Sequence, residues 1–139
     1  MNALPSFYLE QSKQEQENYH QYLQLMGSLS KLFSDSPVPY LDSRISENLF
    51  CKAFQAENLA RADISYDALK NDVGIGIKTF LHAQGNTFQK IAEFNKIAPE
   101  WRNSIDPREN PRAFVEKIAE ARNRRIEATQ ALKNASSHL

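Results

Sequence analysis

The sequence predicts an α+β fold, with helices packed on a small β-sheet or hairpin. Two observations carry this prediction. Apolar residues recur at helical spacing from Tyr19 to Phe33 and again beyond Pro111. Between these stretches, two strand-like runs, Ile64 to Leu69 and Val73 to Leu81, flank a polar Asn71-Asp72 break. A lone two-stranded ribbon is marginal in water, so it must lie on the helices or pair with a further strand. A length of 139 residues suits a single domain with a real core. Its expected parts are a long N-terminal helix at 5–34, a core at 42–97 and a C-terminal helix at 111–132.

Pro5 suits the first turn of the opening helix. The second half of that helix carries Tyr19, Tyr22, Leu23, Met26, Leu29 and Phe33 on its apolar side, while Glu10 to Asn18 reads as a solvated extension. Pro37 and Pro39 then end helical structure. Asp42 or Ser43 can cap a second helix running to about Gln55. That helix is apolar on two sides, which suits burial, and Glu47 lies beside Phe50, Cys51 and Phe54. A buried carboxylate must find a partner, a proton or a metal; alternatively Arg44, three residues back, pairs with Glu47 at the surface. After the hairpin, Gly85-Asn86-Thr87 can cap a helix with Phe88, Ile91, Phe94 and Ile97 inward, and Trp101 follows in a proline-bounded connection. Pro111 starts the last helix, with Phe114, Val115, Ile118, Ala121 and Ile126 as packing positions.

Seventeen basic and seventeen acidic residues balance, which neither implies nor excludes nucleic acid, since bases can gather on one face. The single cysteine, Cys51, excludes an internal disulfide and a Cys-rich zinc site, and its apolar neighbours suit a small buried side chain. No basic-then-apolar leader is visible, and no apolar run approaches the roughly 20 residues that span a bilayer. The expectation is a cytoplasmic protein with no membrane partner.

The hairpin carries the chemistry. With Asn71-Asp72 as a two-residue turn, Leu69 opposes Gly74, Asp67 opposes Gly76 and Ser65 opposes Lys78. Alternation then places Ser65, Asp67, Gly74, Gly76 and Lys78 on one face, with Ile64, Tyr66, Ala68, Ile75 and Ile77 on the other. Asp67 lies diagonal to Lys78 at about 7–8 Å, room for an ion or a phosphate between them. A three-residue loop would instead send the two to opposite faces. The glycines within the strand mark a close approach by ligand or backbone.

A glutamate-bearing helix, an aspartate-bearing strand, a tight turn and a strand ending apolar-x-Lys resemble the PD-(D/E)XK nucleases, the restriction-endonuclease-like fold. Asp67-Ala68 matches the family's first acid and the residue after it, and Gly76-Ile77-Lys78 its closing triplet. Ile75 to Phe80 looks like the corresponding strand of type II restriction enzymes, and Gln89 to Phe94 fits loosely. The resemblance covers about Asp42 to Lys96, under half of the chain. Gly76 stands where the family has its second carboxylate, so Asp63, Glu47 or Glu57 must supply it. Parity keeps Asp63 on the polar face. The resemblance implies a Mg²⁺-dependent DNA endonuclease with Asp67, Lys78, Asp63 and Glu47 at the catalytic site. Asp67, Asp63 and Glu47 would hold the metal. It also implies an incomplete restriction-endonuclease-like core, a homodimer or a further C-terminal segment, and double-stranded DNA as partner.

Arg122, Arg124 and Arg125 form the densest basic cluster and, with Lys90, are the candidate DNA contacts. The plainer reading is a solvated helix face with pairs such as Glu120 and Arg124. His20, His82 and His138 lack metal-ligand spacing, and Gly74-x-Gly76 lacks the third glycine of a dinucleotide fingerprint. The alternative to a nuclease is a non-enzymatic helical interaction module. It expects Asp67 and Lys78 apart and a large apolar patch exposed on the first helix.

Overall fold

Ser12 and Glu15 form a reciprocal capping box that starts the first long helix, α2 (Lys13–Leu29). The computed structural model describes residues 6–60, 64–79 and 98–138. The expected continuous helix from 5 to 34 is therefore two pieces. A one-turn α1 (Phe7–Glu10) ends at extended Gln11, and α2 continues as a 3₁₀ turn, Ser30–Leu32. The physical reason is the cap: the Ser12 hydroxyl accepts the Glu15 N–H, which requires Ser12 to be extended rather than helical. Nor is Glu10 to Asn18 a free extension, because Glu15 pairs with Lys70 of the hairpin.

Pro39 folds back over Gly27 of α2, where an added Cβ would sit 3.3 Å from the proline ring. Buried Ser30 fixes this elbow by donating to Gly27 O at 2.6 Å and accepting the Tyr40 N–H at 2.9 Å. Helix α3 (Ser43–Phe54) begins as expected, with the Asp42 carboxylate accepting the Ile45 N–H at 2.8 Å. It ends at Gln55 in the left-handed conformation, φ 53°. Phe50, Cys51, Ala53 and Phe54 of α3 form the core with Ala68 and Ile75 of the sheet, and Phe7, Tyr19 and Tyr22 pack against it.

Strands β1 (Glu57–Asn58), β2 (Ala68–Lys70) and β3 (Val73–Ile75) make a small antiparallel sheet. A two-residue β4 (Ser137–His138) lies parallel to β3. The turn has two residues, with Asn71 at φ 48° and Asp72 at φ 63°, as a type I′ hairpin requires. Leu69 faces Gly74 and Lys70 faces Val73, the expected register.

Alternation breaks one residue beyond β2. The Asp67 N–H donates to Ile75 O at 2.9 Å, although Ile75 is already the partner of Ala68. Two residues facing one constitute a β-bulge, and face parity reverses upstream of it. Tyr66, expected on the core face with Ala68, instead lays its ring over Gly74 on the opposite face. Asp67, expected on the glycine face, turns to the α3 side, where its charge reaches Glu47 and Cys51. The close approach that Gly74 permits is thus to the chain's own Tyr66 ring: a Cβ there would meet ring atoms at 2.3–2.6 Å.

Beyond the sheet, Trp101 is buried within a short helix, α4 (Ala98–Ser104), where an irregular connection was expected. Helix α5 (Pro111–Lys133) begins at Pro111 as expected, with Asn110 capping it. It docks on the glycine face: the Tyr66 hydroxyl donates to Ile126 O at 3.4 Å and the Ser65 N–H to Thr129 Oγ1 at 3.1 Å. Val115, expected to pack, is 62% exposed. The sheet therefore lies between α2 and α3 on one face and α5 on the other. The helix expected after Gly85-Asn86-Thr87, with Phe88, Ile91, Phe94 and Ile97, lies outside the described residues.

Candidate active site at the hairpin bulge

The bulge changes where the acid points and still leaves it with the lysine. Asp67 Oδ2 accepts two hydrogen bonds, from the Ile77 N–H at 2.6 Å and from Lys78 Nζ at 3.0 Å. The Ile77 N–H is free for this because Asp67, displaced by the extra residue, reaches the place of a ladder carbonyl. Lys78 also donates to Ile77 O at 3.1 Å. The pair is more accessible on the lysine side: the Lys78 side chain is 47% exposed and that of Asp67 23%.

Glu47 joins them from α3. Its side chain is only 13% exposed, and Arg44 Nη1 lies 3.7 Å from Glu47 Oε2. Both readings of this residue therefore hold in part, since the arginine pairs with an acid that is nonetheless largely withdrawn from water. Burial raises the Glu47 pKa above the ordinary carboxylate value, and the negative charge of Asp67 raises it further, against Arg44 and Lys78. Cys51, one helical turn along α3, is pushed up to about 11 by burial and by the charges of Glu47 and Asp67. It stays a neutral thiol at ordinary pH.

Three of the expected site residues, Asp67, Lys78 and Glu47, thus share one neighbourhood. Asp63 and Lys90 lie outside the described residues. Arg122, Arg124 and Arg125 lie on α5, across the sheet from the face to which Asp67 turns. Arg124 there pairs with Glu120 at 3.4 Å. Glu57, another candidate acid, is engaged by Lys133 at 2.9 Å.

The donor set suits a hard cation in kind. Asp67 and Glu47 offer carboxylate oxygens, and Mg²⁺ is held by one or two carboxylates together with waters and substrate phosphate. Among the described residues, no group of three or more His, Cys, Asp or Glu side chains could hold a metal ion. A hollow of about 470 Å³ lies elsewhere, at the turn end of the sheet, lined in part by Glu15, Gln55, Lys70 and Asp72.

Sequence reasoning missed the Ile77 N–H as the anchor of Asp67 and the pairing of Glu15 with Lys70. It also missed Tyr66 as the plug between the sheet and α5. One of these had a signal: an aromatic near a strand glycine is a recurrent way to cover it. The bulge had none. No protein-family model, curated protein or solved structure matches the chain. Among the described residues, no helix is long and apolar enough to cross a membrane.

Proposed function

We propose that the chain carries the catalytic constellation of a Mg²⁺-dependent DNA endonuclease of the restriction-endonuclease-like kind. The observation that supports this reading most is the 3.0 Å contact of Asp67 with Lys78, beside a glutamate on the helix beneath. The acid, the lysine and the helical glutamate are the groups that the resemblance to PD-(D/E)XK nucleases implies. They come from separate elements brought together by folding.

In this reading Asp67 and Glu47 bind the cation, and Glu47 takes the part of the carboxylate missing at Gly76. Mg²⁺, when bound, polarises the phosphate and acidifies a water. Asp67 is held in orientation by the Ile77 N–H. Lys78, as an ammonium, orients the attacking water and offsets charge developing on the phosphate.

The test is incubation of the protein with mixed plasmid DNA in Mg²⁺ and in EDTA, beside Asp67→Ala, Lys78→Ala and Glu47→Gln. Cleavage that needs Mg²⁺ and is lost in all three variants is the expected result. Cleavage unaffected by Asp67→Ala or Lys78→Ala would remove the site assignment.

One observation favours the non-enzymatic alternative. The far end of α2 and the 3₁₀ turn after it expose Leu25 at 58%, Leu32 at 81% and Phe33 at 60%, apolar surface where an interaction module would have it. Under that reading the plasmid stays intact in every buffer.

A further inference from the structure

Lys78 occupies the acid that the cation needs. Its ammonium and the Ile77 N–H both point at Asp67 Oδ2, and a third contact, to Ile77 O, folds the side chain back over its own peptide. Glu47 lies beside this contact on α3, and the charges acting on it are those of Asp67, Arg44, Lys78 and Asp42. Arg44 is paired with Glu47, and the Asp42 carboxylate is taken up by the Ile45 N–H. Lys78 is thus the cation that neutralises Asp67. A divalent ion placed among Asp67 and Glu47 would sit a few ångströms from that ammonium and be repelled by it.

The geometry points to Lys78 as a resident competitor of the divalent cation. Ammonium and metal hold Asp67 by turns, and a nucleic-acid phosphate frees Asp67 by giving the ammonium another anion. This inference rests on the nuclease reading of the same residues. Its consequence is that cation and DNA bind cooperatively, each raising the affinity of the other by the same factor. The half-exposed lysine can swing to a phosphate by rotation about its own side-chain bonds, with no backbone movement.

The experiment is a calorimetric titration of the full chain with Ca²⁺, which shares the oxygen preference of Mg²⁺. It is run with and without a mixed-sequence DNA duplex, on the native protein, Lys78→Gln, Lys78→Arg and Asp67→Asn. Without DNA, Lys78→Gln is expected to bind Ca²⁺ about fivefold more tightly than the native protein, the scale of losing one partly exposed ion pair. Lys78→Arg keeps the charge and stays near native. Duplex DNA is expected to tighten Ca²⁺ binding to the native protein several-fold more than to Lys78→Gln, because both gain the phosphate ligand and only the native protein also has Asp67 released. Equal or weaker binding by Lys78→Gln, while Asp67→Asn still abolishes it, would overturn the competition and spare the nuclease reading. Ca²⁺ binding that survives Asp67→Asn, or that no protein shows, would overturn both.

Discussion

Replacing Gly74 with alanine should damage this protein far more than a strand glycine-to-alanine change ordinarily does. In a strand interior that exchange is worth a gain of roughly 0.5–1 kcal/mol, because alanine loses less backbone entropy on folding. Here the new methyl would meet three Tyr66 ring atoms at 2.3, 2.5 and 2.6 Å. Ordinary carbon contacts lie at about 3.5–4.0 Å, so the ring must retreat by about 1 Å. It has nowhere to go: Tyr66 is 1% exposed and its hydroxyl bonds to Ile126 O in α5. Overpacking of this kind costs about 1–3 kcal/mol, and a lost hydrogen bond about 1 kcal/mol more. A net loss of about 3 kcal/mol corresponds to a urea midpoint lower by about 1.5 M, taking a slope of about 2 kcal/mol/M for a small domain. The assay is urea denaturation of the native protein, Gly74→Ala, Tyr66→Leu and the double variant. Removing the ring removes the clash, so the alanine should cost almost nothing in the Tyr66→Leu background. If Gly74→Ala is as stable as the native protein, or if the two changes simply add, the ring does not lie on the glycine and the account of the bulge fails.

Three further outcomes follow from the charges and the thiol. The side-chain bond from Lys70, and then that from Ser12, hold Glu15 below the ordinary carboxylate value, so its contribution is complete above the unfolded value of 4.5 and is lost as pH falls through the lower folded value. Lys70→Met should therefore lower stability by about 1 kcal/mol at pH 7 in chemical denaturation, with the deficit shrinking as pH falls below 4.5. Glu47 has the opposite sign: its pKa is raised mainly by burial, so the folded protein loses stability as pH rises from 4.5 through the folded value. Glu47→Gln should then melt a few degrees higher at pH 7; on the proposed nuclease reading it should also lose DNA cleavage in the plasmid assay, a trade of stability against function. Cys51, at 7% exposure and with its thiol pushed up to about 11, should resist iodoacetamide at pH 8 in the native protein and react promptly in urea. Prompt labelling without urea would contradict its burial.

How much of this was legible beforehand depended on whether the signal was local. The Asn71-Asp72 turn and the Leu69 to Gly74 register follow from two adjacent residues that accept positive φ. The cap at Asp42 and the helix start at Pro111 are likewise local chemistry. The bulge is different. Whether Asp67 or Ala68 pairs with Ile75 is decided by what Tyr66 can bury, and that depends on α5, about sixty residues further along the chain. Alternation read along one strand contains no information about a partner so distant, so the face assignment of Tyr66 and Asp67 came out reversed. The break between α1 and α2 was legible in principle, since Ser12 and Glu15 stand three apart. The run from Glu10 to Asn18 is wholly polar, so no apolar periodicity was there to show the interruption.

The candidate site tolerates this reversal for a physical reason. Regular alternation would leave Asp67 on the glycine face with α5, away from Glu47 on α3. The inserted residue turns the carboxylate toward α3 and places it where the Ile77 N–H, which has lost its ladder partner, can bind it. Lys78 lies beyond the last regular strand residue, with a long side chain, and follows the carboxylate to either face. One irregularity therefore does two things at once. It plugs the sheet against α5 with Tyr66, and it delivers Asp67 to Glu47. Bulges recur beside active sites because they re-aim a single side chain without dismantling the sheet. The two roles are separable by substitution, since Tyr66 carries the plug against α5 and Asp67 carries the acid. Tyr66→Leu should lower the urea midpoint, whereas on the proposed nuclease reading Asp67→Asn should abolish cation binding and leave the fold standing.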